Sequence, residues 1–203
     1  MPSRLYRAGV KEWSMSAKIA LKAEDMSIHL RRMQSAQRLH DELFHPEIVR
    51  LEAGRRIAHL ALHLAKYCGD IRAASLEGDE SRYRRAIVDS AIIASSAATA
   101  LHIDLSVSEF AFSCEDEFEF EDVMVISVGR LAKAVEALDH VEDFPSRRVW
   151  SEEFPKIFAC AARQIEGWGA DVIQSIFARL DFVRKKNPFY LELMSEAKHG
   201  ILE

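Results

Sequence analysis

The chain has 203 residues, 49% of them apolar and 29% charged, which suits one medium or two small cored domains and not a disordered chain. Its net charge of −5, with a pI near 5.9, gives no general attraction to nucleic acid or to an anionic membrane. Cys68, Cys114 and Cys160 lie far apart, are odd in number and form no Cys-x-x-Cys pair, which argues against a disulfide framework and a zinc-thiolate site.

With only five prolines and eight glycines as punctuation, long helices are expected and the fold class is all-α. Met1 to Trp13 has no apolar stretch of the secretory kind. Residues 15–43 have helical composition, with Ile19, Leu21, Met26, Ile28, Leu30 and Met33 partly on one face. Pro46 suits the first turn of a second helix, expected to run to about Tyr67 and to stop at Gly69. Asp79 and Ser81 are candidate N-caps for a third helix ending near His102. The apolar stretch Ala86 to Ile103 holds Asp89, several hydroxyl residues and His102, and reads as a buried helix rather than a membrane span. The cytoplasm is therefore the expected compartment. Ser106 to Ser113 suits a short helix, and the acidic run Cys114 to Asp122 reads as a linker. Helix resumes from about Val123 to His140, and Glu142 to Trp150, with Pro145, reads as a loop. Ser151 is placed as the cap of the next helix, with Pro155 in its first turn and an end near Gly167 and Gly169. A last long helix covers about Asp171 to Lys186, followed by a short tail helix beyond Pro188.

An internal repeat organises these elements. Arg56-Ile57-Ala58-His59 aligns with Arg130-Leu131-Ala132-Lys133, and Asp89 with Lys156. From those points each copy reaches a second aspartate, Asp104 or Asp171, after the same number of residues, with Phe110 and Phe177 equally far beyond. The expected layout is an N-terminal helical segment (1–45), a first half (46–113), an acidic linker (114–122), a second half (123–190) and a tail (191–203).

Both halves resemble the MazG-like family of all-α nucleotide pyrophosphohydrolases, in which one helix carries a Glu-Glu-x-x-Glu motif and a partner helix carries Glu-x-x-Asp. In that family the carboxylates bind Mg²⁺, which holds the nucleotide phosphates and activates water. In the segment Glu52-Ala53-Gly54-Arg55-Arg56-Ile57-Ala58, Glu52 stands at the first motif position, and Ala53 and Arg56 stand at the other two. In Ala86-Ile87-Val88-Asp89 the aspartate remains and the glutamate is Ala86, and Leu101-His102-Ile103-Asp104 looks like the family's turn after the helix. In the second half, Ile126 to Ala132 follows the pattern without its acids, while Glu153-Phe154-Pro155-Lys156 keeps the glutamate and replaces the aspartate by Lys156. The resemblance implies a tandem MazG-like repeat that binds a nucleotide or related phosphorylated small molecule, with hydrolysis reduced or lost because basic residues replace acids. Glu52 and Asp89 are the metal ligands it implies, for Mg²⁺ if any metal binds, with Glu153 as a further acid. Arg55, Arg56, Arg130 and Lys156 are its candidate phosphate contacts.

Other constellations are weaker. His59 and His63 have the i, i+4 spacing of metal ligands, but Leu60 stands where a His-Glu-x-x-His glutamate would be, which favours a helix surface or core role. His40-Asp41 is the dyad type of HD phosphohydrolases, whose further ligands find only His29 and Asp89 as candidates here, and a helix-end role is favoured. Arg184-Lys185-Lys186 suits a helix C-terminus or a phosphate contact. No Gly-rich phosphate loop, Gly-x-Ser-x-Gly elbow or Cys-His nucleophile pattern is visible. The rival reading is a helical adaptor for a protein partner, with Phe110, Phe112, Phe118 and Phe120 as anchors. A homodimer is left open, and neither nucleic acid nor a membrane is an expected partner.

Overall fold

The computed structural model describes residues 26–107 and 119–199, the side chains of the last four of these excepted, and all regular structure among them is helical. Residues 26–44 form α1, and Pro46–Val49 form the single turn α2. Then come α3 (Ala53–Glu77), α4 (Glu80–Ala100), α5 (Phe120–Asp139), α6 (Ser146–Gly167), α7 (Val172–Arg184) and α8 (Tyr190–His199).

Local chemistry sets several boundaries. The Asp79 carboxylate accepts from the Arg82 amide at 2.9 Å to open α4, and Asp171 accepts from the Gln174 amide at 2.7 Å to open α7. Each cap satisfies a backbone donor that the helix leaves without a partner. Gly78, with φ of 70°, closes α3 in the left-handed region.

Four sequence expectations are corrected. The helix expected from Pro46 to Tyr67 breaks after Val49 and restarts at Ala53, because Glu52 caps a new N-terminus by accepting from the Gly54 and Arg55 amides at 3.0 and 3.2 Å. It then runs through Gly69 instead of stopping there. A mid-helix glycine costs only about 1 kcal/mol, and the flanking Leu64, Ile71 and Ala74 are buried and hold the helix in place. The helix expected to be capped by Ser151 starts at Ser146, after Pro145, so Pro155 lies inside α6 and not in its first turn. Proline removes one helical hydrogen bond there, and the burial of Phe154, Ile157 and Phe158 around it offsets that loss. Finally, α5 begins at Phe120, within the acidic run, because that side chain is only 2% exposed and inserts into the core. The expected helix at 106–113 and the beginning of the N-terminal helix at 15–25 lie mostly or wholly outside the described residues.

Helix α3 packs on α4 and α5, and α6 packs on the same two helices, which closes a four-helix ring in the order α3, α4, α6, α5. Its core is one cluster that includes Leu64, Ile71, Ile87, Met124, Leu131, Phe154, Ile157 and Ile165, so the two expected halves share a single core. Ala91, Ala94, Ala97 and Ala98 on α4 are fully buried and let the neighbouring helices approach closely. Helix α7 packs on α4 and α6, and α2 on α3. Helix α1 lies along the C-terminal half of α4 through Gln34, whose amide nitrogen donates to Thr99 Oγ1 and the Ile103 carbonyl while its oxygen accepts from the Leu105 amide. Among the described residues no helix is long and apolar enough to cross a membrane. Cys68 and Cys160 form no disulfide.

Candidate functional site

The break between α2 and α3 and the packing of α7 on α4 leave a cavity of about 290 Å³, walled by α1, α2, α3, α4 and α7. Its apolar wall includes Ile48, Val49, Leu60, Ile92, Ile93 and Leu180. Its polar lining is Gln37, His40, Asp41, His45, Arg56, His59, His63, Tyr67, Asp89, Ser96 and Arg179, a mixture far richer than core packing requires. On α3 these residues fall at 56, 59, 60, 63 and 67, the spacing that places side chains on one helix face.

Two carboxylates line the cavity, and both are engaged. Arg179 Nε donates to Asp89 Oδ1 at 2.7 Å and its Nη2 to Oδ2 at 2.8 Å, a bidentate pair on the α4–α7 contact. Asp41 Oδ1 accepts from Gln37 Nε2 at 2.8 Å, and Oδ2 accepts from Ser96 Oγ at 2.6 Å. Tyr67 lies against the Asp89–Arg179 pair, and burial together with the Asp89 charge pushes its hydroxyl up to about 12. His59 and His63 are neighbours, with ring centroids 4.5 Å apart. Burial, helped by His59 and Lys66, pulls His63 down to about 4, so its ring is neutral at pH 7. Four buried polar atoms of lining residues have no hydrogen-bond partner among the described residues: Gln37 Oε1, His40 Nε2, Arg56 Nε and His63 Nδ1. Unsatisfied buried groups of this kind are expensive; four further such atoms, Ser95 Oγ, Ser127 Oγ, Trp150 Nε1 and Glu153 Oε2, belong to residues that do not line the cavity.

Of the residues singled out from the sequence, Arg56 and Asp89 line this cavity. Glu52 does not. It caps α3, and the Gly54 and Arg55 amides hold its carboxyl below the usual range. Arg55 is exposed beside it. Arg130 and Glu153 form an ion pair at 2.8 Å between α5 and α6, on the other hairpin of the bundle, and Lys156 is half-buried further along α6. With both Asp89 oxygens on Arg179 and Glu52 outside the cavity, this donor set does not fit Mg²⁺. Among the described residues, no group of three or more His, Cys, Asp or Glu side chains is disposed to hold a metal ion.

Several lining residues had a sequence signal that pointed elsewhere. His59 and His63 were visible as an i, i+4 pair and His40-Asp41 as a dyad; all four face the cavity, while His29 is exposed on α1 and not part of it. The helix-end role expected of Asp41 is replaced by its bonds to Gln37 and Ser96. Arg179, Tyr67, Gln37 and Ser96 carried no local signal, since their partners are reached only through the packing of α1, α4 and α7. Phe120 is buried, and Phe110, Phe112 and Phe118 lie outside the described residues. No protein-family model matches the chain, and no significant match is found among curated proteins or solved structures.

Proposed function

We propose that the chain binds a phosphorylated small molecule of the nucleotide class in the α1–α4/α7 cavity, without the Mg²⁺-dependent hydrolysis of the MazG-like enzymes it resembles. The observation that carries this reading is Arg56. Its Nε–H is buried at the cavity and has no partner among the described residues. A guanidinium with a free fork is the side chain best matched to phosphate oxygens, and the Ile48, Val49, Ile92 and Ile93 wall suits the flat apolar body of a base. A degenerate tandem MazG-like ancestry fits the two hairpins, α3–α4 and α5–α6, and the pairing of Arg130 with Glu153 at the position where the repeat alignment sets Arg56 near the α4 motif. A cytoplasmic location belongs to the same reading.

The test is thermal stability of the purified protein against a panel of nucleotides, with Mg²⁺ and with EDTA. A ligand at a hundred times its Kd stabilises the native state by about 2.7 kcal/mol. A selective upward shift that persists in EDTA supports the proposal, and a shift that needs Mg²⁺ contradicts its metal-free form. The adaptor reading retains one observation: Phe182, Phe189 and Leu191 near the C-terminal end are 52%, 65% and 75% exposed. A flat response to every nucleotide moves the balance to that reading.

A further inference from the structure

One corner of the cavity says more about the ligand than its overall lining does. Gln37 and His40 sit one helical turn apart on α1, are 2% and 8% exposed, and both line the cavity. The orientation of the Gln37 amide is fixed by its neighbour. Its nitrogen donates to Asp41 Oδ1 at 2.8 Å, and the flipped amide would set two acceptor oxygens against each other. Its Oε1 is therefore a committed acceptor, and it has no partner among the described residues. His40 turns Nδ1 toward the same Asp41 oxygen at 3.5 Å. Its Nε2 is the other partner-free atom of this corner. The Asp41 carboxylate, held by Gln37 and Ser96 and by no arginine or lysine of the described residues, adds a negative field to this corner. A buried acceptor beside a carboxylate requires a hydrogen-bond donor, not another acceptor.

We infer that the Gln37–His40 corner is a subsite for an amino group, so that the cavity selects nucleotides whose base carries an exocyclic amine over those with a keto oxygen at that position. The inference rests on the nucleotide reading and names the part of the ligand that the α1 side of the cavity reads. A keto oxygen placed there meets the Gln37 acceptor and leaves it unpaired. Sites built around buried polar groups reject analogues that lack the matching group far more strongly than apolar pockets reject a missing methylene.

The experiment is titration calorimetry on the full chain with two matched pairs, AMP against IMP and CMP against UMP. Within each pair the phosphate and the sugar are the same, and the base differs by the amino-to-keto exchange and by the adjacent ring nitrogen, which accepts in the amino member and carries a hydrogen in the keto member. The expected result is a Kd at least about tenfold lower for the amino member of one or both pairs. Gln37→Met, checked for native helicity and melting, is expected to bring the members of a pair to within about threefold of each other, through weaker binding of the amino member, tighter binding of the keto member or both. Equal binding of both members in both pairs, or preference for the keto member, overturns this inference and leaves the nucleotide reading standing. Binding of none of the four overturns both. The ligand pairs decide the matter on the unmodified protein even if the variant does not fold.

Discussion

The Asp89–Arg179 pair gives the account its most quantitative exposure. The side chains are 10% and 21% exposed and share two hydrogen bonds of 2.7 and 2.8 Å between α4 and α7. With charge centres about 4 Å apart and an effective dielectric constant of about 20, the gross attraction is about 4 kcal/mol. Desolvation consumes much of that, so the pair adds little over an apolar equivalent, but removal of one partner strands the other charge at about 3 kcal/mol, the lower end of the range for buried pairs. Either Asp89→Leu or Arg179→Met is thus expected to lower stability by about 3 kcal/mol, equivalent to a drop in Tm of roughly 6–12 °C for a chain of this size. The double variant is expected to return to within about 1 kcal/mol of the parent protein. Urea unfolding of all four proteins, followed by circular dichroism, measures the cycle. Single substitutions that each cost less than about 1 kcal/mol, the value typical of exposed pairs, refute the claim that α7 is locked to α4 through this carboxylate.

Three further outcomes follow from the same physics. The Arg130–Glu153 pair is asymmetric, 58% exposed on the arginine and 5% on the glutamate, so Arg130→Met is expected to destabilise by about 2 kcal/mol more than Glu153→Met in urea unfolding; equal costs contradict the burial of the glutamate. Val141, just past α5, sits at φ of 54° and is 90% exposed, so Val141→Gly relieves left-handed strain without loss of packing and is expected to raise stability by about 1 kcal/mol; a lower Tm refutes it. Folding pulls His63 from about 6.5 to about 4, so between those values the unfolded chain takes up a proton that the native one refuses. Stability from this group is complete above pH 6.5 and falls as the pH drops toward 4; a His63 ring signal that titrates near 6.5 by NMR contradicts it.

How far the sequence was legible depends on where the determinants lie. Asp79 announced α4 because a cap is made by a side chain with an amide three residues on, a purely local bond. Gly69 and Pro155 misled because both are local breakers overruled by burial on either side of them, which no local pattern records. The site divides in the same way. The His59–His63 and His40-Asp41 spacings were visible, and Arg56 and Asp89 were singled out through the resemblance. That Asp89 is spent on an arginine ninety residues away was beyond any local reading. Glu52, placed as a metal ligand by motif position, is held by the first amides of its own helix.

The most direct test of the central claim is calorimetric titration of nucleoside monophosphates into the full chain in EDTA, alongside Arg56→Ala. Arg56 forms no ion pair with a described residue, so its removal breaks no charge pair, and the melting temperature of the variant is measured alongside as the control for folding. The account predicts saturable binding in the absence of divalent metal, weakened at least tenfold by Arg56→Ala. Binding that appears only with Mg²⁺, or that is unaltered by Arg56→Ala, contradicts it.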